Sequence, residues 1–261
     1  MSVPPSSSPT KTPPTPASRT PTSHTAAPHT PVSHTAAPPR TARPDAAPTP
    51  AVLPMRVLPM GERALLVELA DGTAAAALHA ELLRRRAEGE LTVREIVPAA
   101  RTVLLDGLDG PDAPLRLAAR LPAWEIPPLP ARAEDVLEIP VRYDGPDLAD
   151  VAALWGVPVR DVARIHSAAE FRVAFCGFAP GFGYLTGLGG LREVPRRATP
   201  RTAVPAGSVG LAGPYTGVYP RPSPGGWQLI GSTDAVLWDP ARVPAALLTP
   251  GARVRFVPEA A

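Results

Sequence analysis

The chain has 261 residues, a formal net charge of +2, 38 prolines and one cysteine. A charge this small, carried by scattered arginines, gives no basic face for nucleic acid, and one cysteine excludes an internal disulfide or a cysteine-cluster metal site. No apolar run approaches the roughly 18 residues a membrane span needs, so no membrane association and a reducing cytoplasmic compartment are expected.

Residues 1–50 hold 14 of the prolines and carry an imperfect repeat, "SHTAAPHTPV" followed by "SHTAAPPRTA". The segment has almost no large apolar residue with which to offset its ordering entropy, so residues 1–54 are predicted to be disordered. Such a tail is either a tether for partners or low-complexity drift, including a start codon set too far upstream. It has no apolar core of the kind a secretory signal needs.

At Met55 the pattern changes. "MRVLPMGERALLVELA" reads as two strands around a Gly61-Glu62 turn. Asp71-Gly72-Thr73 opens an Ala/Leu helix with Ala75, Leu78 and Leu82 on one face and Gly89 beyond its end. His79 lies beside that face as a surface histidine. "LTVREIVPAARTVLLDGL" gives two more strands, and "PDAPLRLAARLPA" a second helix with proline in its first turn. The result is a small ββαββα domain over residues 55–121. "PAWEIPPLPARA", residues 122–133, reads as a proline-rich linker.

Residues 134–261 begin with a strand in "VLEIPVRYDG" and two short helices, "DLADVAALWG", stopped by Gly156, and "VPVRDVARIHSA". "FRVAFC" then alternates Phe171, Val173 and Phe175 against Arg172, Ala174 and Cys176. Short runs follow between Gly/Pro turns: "AVPAGSVGLAG", "GVYP", "WQLIGST", "AVLW" and "RVRFVP". Many short strands so punctuated predict a barrel or sandwich.

The titratable inventory of this folded part is sparse. Lys11 is the only lysine, asparagine is absent, and His24, His29 and His34 fall in the tail. That leaves no Schiff-base or P-loop lysine and no histidine pair for a metal. Three glycine clusters stand out: "CGFAPGFGYLTGLGG", "VPAGSVGLAGPYTGVYP" and "SPGGWQLIGST". Each alone reads as a set of corner turns. Together they offer backbone donors and the hydroxyls of Ser208, Tyr215, Thr216, Ser223 and Ser232 between aromatic walls, which suits a small polar or anionic ligand.

Two readings stand for His166: a general acid, base or oxyanion donor, or a helix C-terminal histidine favoured by the macrodipole. Arg172 either pairs with an anionic substrate or partner, or is a solvated strand residue. Arg196, Arg197 and Arg201 form either a clamp for phosphate or carboxylate or a solvated basic loop. Cys176 reads as a small hydrophobe.

"IPVRYDGPDL", "IHSAAEFRVAFCGFAPGFGYLTGL", "PRRATPRTAVPAGSVGLAG" and "TGVYPRPSPGGWQLIGST" together resemble the family of the 5-oxoprolinase B subunit, which includes the kinase inhibitor KipI. They also resemble subunit 1 of allophanate hydrolase and the carboxyltransferase part of urea carboxylase. The resemblance runs from about Met55 to Pro258. It implies an α+β fold, a small ββαββα N-terminal domain followed by a cyclophilin-like β-barrel domain.

It further implies a protein inactive alone, working with the 5-oxoprolinase C subunit as a direct heteromer and with the A subunit. The complex would hydrolyse 5-oxo-L-proline to L-glutamate using ATP as its Mg2+ complex, the B and C subunits activating the lactam by phosphorylation. Carried over by motif, His166 and Arg172 are the polar catalytic members. Gly177, Phe178, Pro180, Gly181 and Tyr184 form one wall of the substrate or ATP site. Pro205, Gly207 and Ser208 form a second, and Ser223, Pro224, Gly225, Gly226 and Trp227 close the pocket. The same motifs fit an inhibitor of a sensor histidine kinase, or a urea carboxylase or allophanate-type subunit.

Overall fold

The structure is a computed structural model that describes residues 49–110, 112–129 and 136–259. Most of the expected tail, up to residue 48, and residues 130–133 of the expected linker lie outside the described residues.

The first layer begins with β1 (Ala51–Val52), β2 (Met55–Pro59) and β3 (Ala64–Leu69). Next come α1 (Gly72–Ala87), β4 (Val93–Pro98), β5 (Thr102–Leu108), α2 (Ala113–Arg120) and β6 (Glu125–Ile126). Asp71 ends the strand and starts the helix: its Oδ1 accepts from Ala74 N–H at 2.9 Å, satisfying one of the donors a helix start leaves open. Gly89, just past the helix end, has φ +78°, the left-handed state that glycine adopts without steric cost. Strands β2, β3, β5 and β4 form an antiparallel sheet in that order. Leu65, Val67, Val103 and Leu105 from the sheet are buried with Leu78 and Leu82 of α1. The short β1 and β6 pair with each other, Ala51 opposite Ile126. Both fall in stretches expected to lack structure. Ile126, 2% exposed, joins the core of this layer, and that apolar anchor is what orders them.

The second layer begins with β7 (Leu137–Val141), α3 (Leu148–Trp155), α4 (Val159–Ala168), β8 (Phe171–Cys176) and β9 (Gly183–Thr186). It continues with β10 (Arg201–Val204), β11 (Ser208–Ala212), β12 (Tyr215–Val218), β13 (Ser223–Gly225), β14 (Gln228–Ser232) and β15 (Arg253–Pro258). Seven of these strands form one sheet in the order β14-β11-β12-β9-β8-β15-β7. Its two edges meet. Arg142, next after β7, and Ser232 of β14 exchange N–H···O bonds of 2.9 and 2.8 Å. The sheet thus nearly closes on itself as a barrel. Phe171, Val173, Leu185, Val209, Val218, Ile230, Val254 and Phe256 fill it, while α4 packs on β15 and α3 on β14. The fold is α+β with a barrel, as the resemblance implies. The run "AVLW" is not a strand; Trp238 makes only an isolated bridge to Ala246.

The alternation expected in β8 also fails at its end. The β8–β9 register shifts between Val173 and Phe175, and one extra residue in a strand reverses the faces beyond it. Cys176 therefore packs against the barrel core, its thiol donating to Leu248 O at 3.4 Å. Phe175 turns the other way and stacks on Tyr184, ring centroids 4.3 Å apart.

Candidate functional site

The reversal in β8 aims the next loop. Ala179 N–H donates to Gly177 O at 2.7 Å and Phe182 N–H to Ala179 O at 3.0 Å, which closes a very tight turn. Its central residue, Phe178, has φ +67°, a conformation unusual for any residue with a side chain. The turn holds the Phe178 ring outward, 58% exposed. Beneath it lies an aromatic cluster. Phe182 meets the rings of Phe178, Tyr184, Tyr219 and Trp227 edge to face, at centroid distances of 5.3, 5.0, 5.5 and 5.4 Å.

These rings wall a cleft of about 260 Å³. The opposite wall is the backbone of Pro224, Gly225 and Gly226, with Arg196 and Pro200 at the rim. Gly225 is required there: a Cβ at that position would collide with the Tyr219 hydroxyl. Burial pushes the Tyr184 and Tyr219 hydroxyls above their ordinary range, and the charge of Arg196 opposes that shift at both. The cleft therefore carries a local positive field.

Asp147 decides which arginine faces the cleft. Its carboxylate is 2% exposed and anchors three elements. One oxygen accepts from Arg197 Nη1 and Arg201 Nη2, each at 2.7 Å, and the other from Leu229 N–H at 2.6 Å. Two of the three arginines expected as a clamp are thus spent on a structural carboxylate. Among the described residues Arg196 makes no hydrogen bond or ion pair, and it is the cation lining the cleft.

The expected catalytic pair is not at this cleft. His166 is 0% exposed, wedged between the rings of Phe171 and Phe256 at 4.8 and 4.7 Å. Its Nδ1 bonds the Tyr143 hydroxyl at 2.8 Å and its Nε2 the Thr216 hydroxyl at 3.3 Å. Burial pushes its pKa down to about 3, so the ring is neutral in the fold. In this arrangement it cannot touch a substrate; the core closes over it. Arg172 donates to Gly251 O at 3.0 Å and lines a separate cleft of about 500 Å³ against Gly72, Thr73 and Ala76 of α1. Tyr215 lines that cleft and Tyr184 the aromatic one, their rings 5.6 Å apart.

The other candidates divide in the same way. The structure brings Phe178, Tyr184, Pro224, Gly225, Gly226 and Trp227 together in the aromatic cleft. Gly177 N–H is spent on Phe182 O at 3.2 Å. Pro180 lines a separate surface hollow with Trp238 and Pro220, and Gly181 lies against the Leu237 carbonyl and the Trp238 Cβ. Pro205 and Gly207 turn a barrel corner, Gly207 at φ +77° donating to Tyr219 O at 2.7 Å, and Ser208 is buried in β11. Ser223 bonds Arg221 O at 3.3 Å behind the Pro224 wall.

With the geometry in place, comparison with known proteins is informative. Residues 55–248 match the family model described as "Carboxyltransferase domain, subdomain C and D". The chain belongs to this family. Within it, the chain is similar to the B subunit of 5-oxoprolinase from Escherichia coli O157:H7, 56% identical over 126 residues. That match covers 47% of this chain and 58% of the relative, so the chain spans little more than half the relative's length. Among solved structures, TTHA0988 superposes with a TM-score of 0.61 at 36% identity, over 76% of this chain and 41% of that one. The urea carboxylase of Kluyveromyces lactis shares the fold, with a TM-score of 0.58 at 22% identity, over 82% of this chain and 23% of that one.

In this carboxyltransferase-family chain the aromatic cleft can bind, orient and exclude water. It holds no carboxylate, imidazole or thiol, and no cluster able to hold a metal ion exists among the described residues. Phe182, Tyr219 and Pro200 were missed as site residues by sequence reasoning, although Tyr219 stands in the motif "TGVYP". Asp147 was missed too. The one legible signal was an acid in "YDGPDL" at a helix start, where it would ordinarily cap the helix.

Proposed function

We propose that this chain is the B subunit of an ATP-dependent 5-oxoprolinase, which converts 5-oxo-L-proline to L-glutamate together with the C and A subunits. The observation that carries the reading is the composition of the cleft. It consists of rings, proline and glycine backbone and one arginine that has no ion-pair partner among the described residues; no carboxylate, imidazole or thiol lines it, and burial pushes its two tyrosine hydroxyls above their ordinary range. Opening a lactam is slow because amide resonance must be broken. A protein that does this with such a cleft must leave part of the chemistry to partners. The similarity to the 5-oxoprolinase B subunit supports that division of labour.

In this reading the chain's residues bind and place the substrate. Phe182, Tyr184 and Trp227 shed water from the ring, Gly225 leaves room for the Tyr219 hydroxyl, and Arg196 sets the sign of the field. The cleft does not fit a triphosphate, so ATP enters as a co-substrate of the complex held elsewhere, and the B and C subunits share the activation of the lactam across their contact. The test is reconstitution of the full chain with the A and C subunits. ATP-dependent release of glutamate from 5-oxoproline should require this chain. Full release by the A and C subunits alone would sink the proposal.

A further inference from the structure

We infer that the aromatic cleft is a site for a small, flat monocarboxylate, with Arg196 as its counter-ion and specificity-determining residue, and that it does not take nucleotide phosphates. Calling that acid 5-oxoproline rests on the function proposed above; the carboxylate chemistry does not.

A triphosphate carries several negative charges and is bound by several cations, by a helix N-terminus, or by both. Here the lining residues include a single cation, Arg196. The two arginines beside it in sequence are held by Asp147 at 2.7 Å each, and the only lysine in the chain is Lys11. None of the lining residues belongs to a helix. One guanidinium with no protein partner among the described residues matches one carboxylate, which it can grip with two parallel N–H···O bonds.

Size and shape agree. At about 260 Å³ the cleft falls just below the range of about 300–1,000 Å³ of drug-sized ligand sites. Its walls are ring faces and glycine backbone, which select a flat molecule over a branched one. The charge of Arg196 reaches the Tyr184 and Tyr219 hydroxyls, and Tyr184 lines the same cleft as a second polar residue for the ligand.

Asp147 completes the site from behind. It fixes Arg197 and Arg201, and with them the segment that carries Arg196 and Pro200.

The experiment is calorimetric titration of the full chain, and of its complex with the A and C subunits. The ligands are 5-oxo-L-proline, its carboxamide, furan-2-carboxylate, benzoate and Mg·ATP. Binding of 5-oxoproline should weaken by about tenfold or more in Arg196→Ala, as loss of a charged hydrogen bond implies. Arg196→Lys should recover part of it. The carboxamide should bind wild type as weakly as 5-oxoproline binds Arg196→Ala, and should be indifferent to the substitution. Mg·ATP should neither displace the carboxylate nor change its own affinity in the variant. Unchanged 5-oxoproline binding by Arg196→Ala, displacement by ATP, or no binding of any of the three acids would overturn the inference. Arg196-dependent binding of another flat acid, with 5-oxoproline excluded, would uphold the cleft chemistry and remove the 5-oxoprolinase reading.

Discussion

His166 shows how much one residue's role depends on what covers it. Its two ring nitrogens bond Tyr143 and Thr216, and two phenylalanines sandwich it. Such a ring works as a polar rivet: its hydrogen bonds hold α4 to β12 inside an apolar core, where an unpaired polar atom would be costly. The burial has a pH signature. The folded ring has a pKa of about 3 against an ordinary value of 6.5. Between these limits the unfolded chain binds a proton that the folded chain refuses. Stability should therefore rise with pH across this window and level off above it, with a limiting slope of about 1.4 kcal/mol per pH unit from this residue. His166→Gln removes the titration. In chemical denaturation it should be less stable than wild type at pH 7, by about 1–3 kcal/mol, and the gap should close as the pH falls and change sign before about pH 4. A gap that stays constant with pH would show that the ring does not titrate on unfolding.

At the scale of elements the deciding group is Asp147. It stands just before α3 but leaves the helix uncapped, spending its carboxylate on β14 through Leu229 N–H and on the 197–201 segment through two arginines. Removing the charge of the buried carboxylate that two arginines share leaves both guanidiniums without compensation. Asp147→Asn should lower the unfolding free energy by about 3–5 kcal/mol, read from the denaturant midpoint. A loss below about 1 kcal/mol would mean that Arg197 and Arg201 are satisfied by solvent. Arg196 itself could be located in the sequence, within "PRRATPR", but not distinguished from its two neighbours. Only the path of the chain around Asp147 separates the one that lines the cleft from the two that do not. The β8 register shift is a similar case. Periodicity assigned Phe175 inward, and a single extra residue exchanged it with Cys176.

For the whole molecule, what matters is closure of the seven-stranded sheet. The closing link is one antiparallel bridge, with Arg142 and Ser232 exchanging both backbone bonds. Proline at 232 would delete the N–H that donates to Arg142 O. Ser232→Pro leaves the Arg142 carbonyl without its donor; it should cost about 1–3 kcal/mol and abolish amide-exchange protection in β7 and β14 together. Ser232→Ala, which keeps the N–H and loses only the side-chain bonds to Asp144, should leave that protection in place. Equal protection in the proline variant would show that the barrel holds without its seam. The residue pattern alone determined much of this protein. Asp71 and Gly89 bracket α1, Gly156 ends α3, and the Gly/Pro punctuation after residue 170 specifies short strands, because these signals act through local sterics and backbone hydrogen bonds. The family's motifs carried the α+β barrel. The make-up of the cleft was not legible in the same way. Gly207 and Gly225 have the same composition and different tasks, one turning a barrel corner and the other admitting the Tyr219 hydroxyl. Position alone left His166 open between a catalytic group and a helix-end histidine, and the structure buries it in the core. Burial, and which of three arginines a carboxylate captures, depend on residues dozens of positions apart in the chain, and only the tertiary structure brings those together.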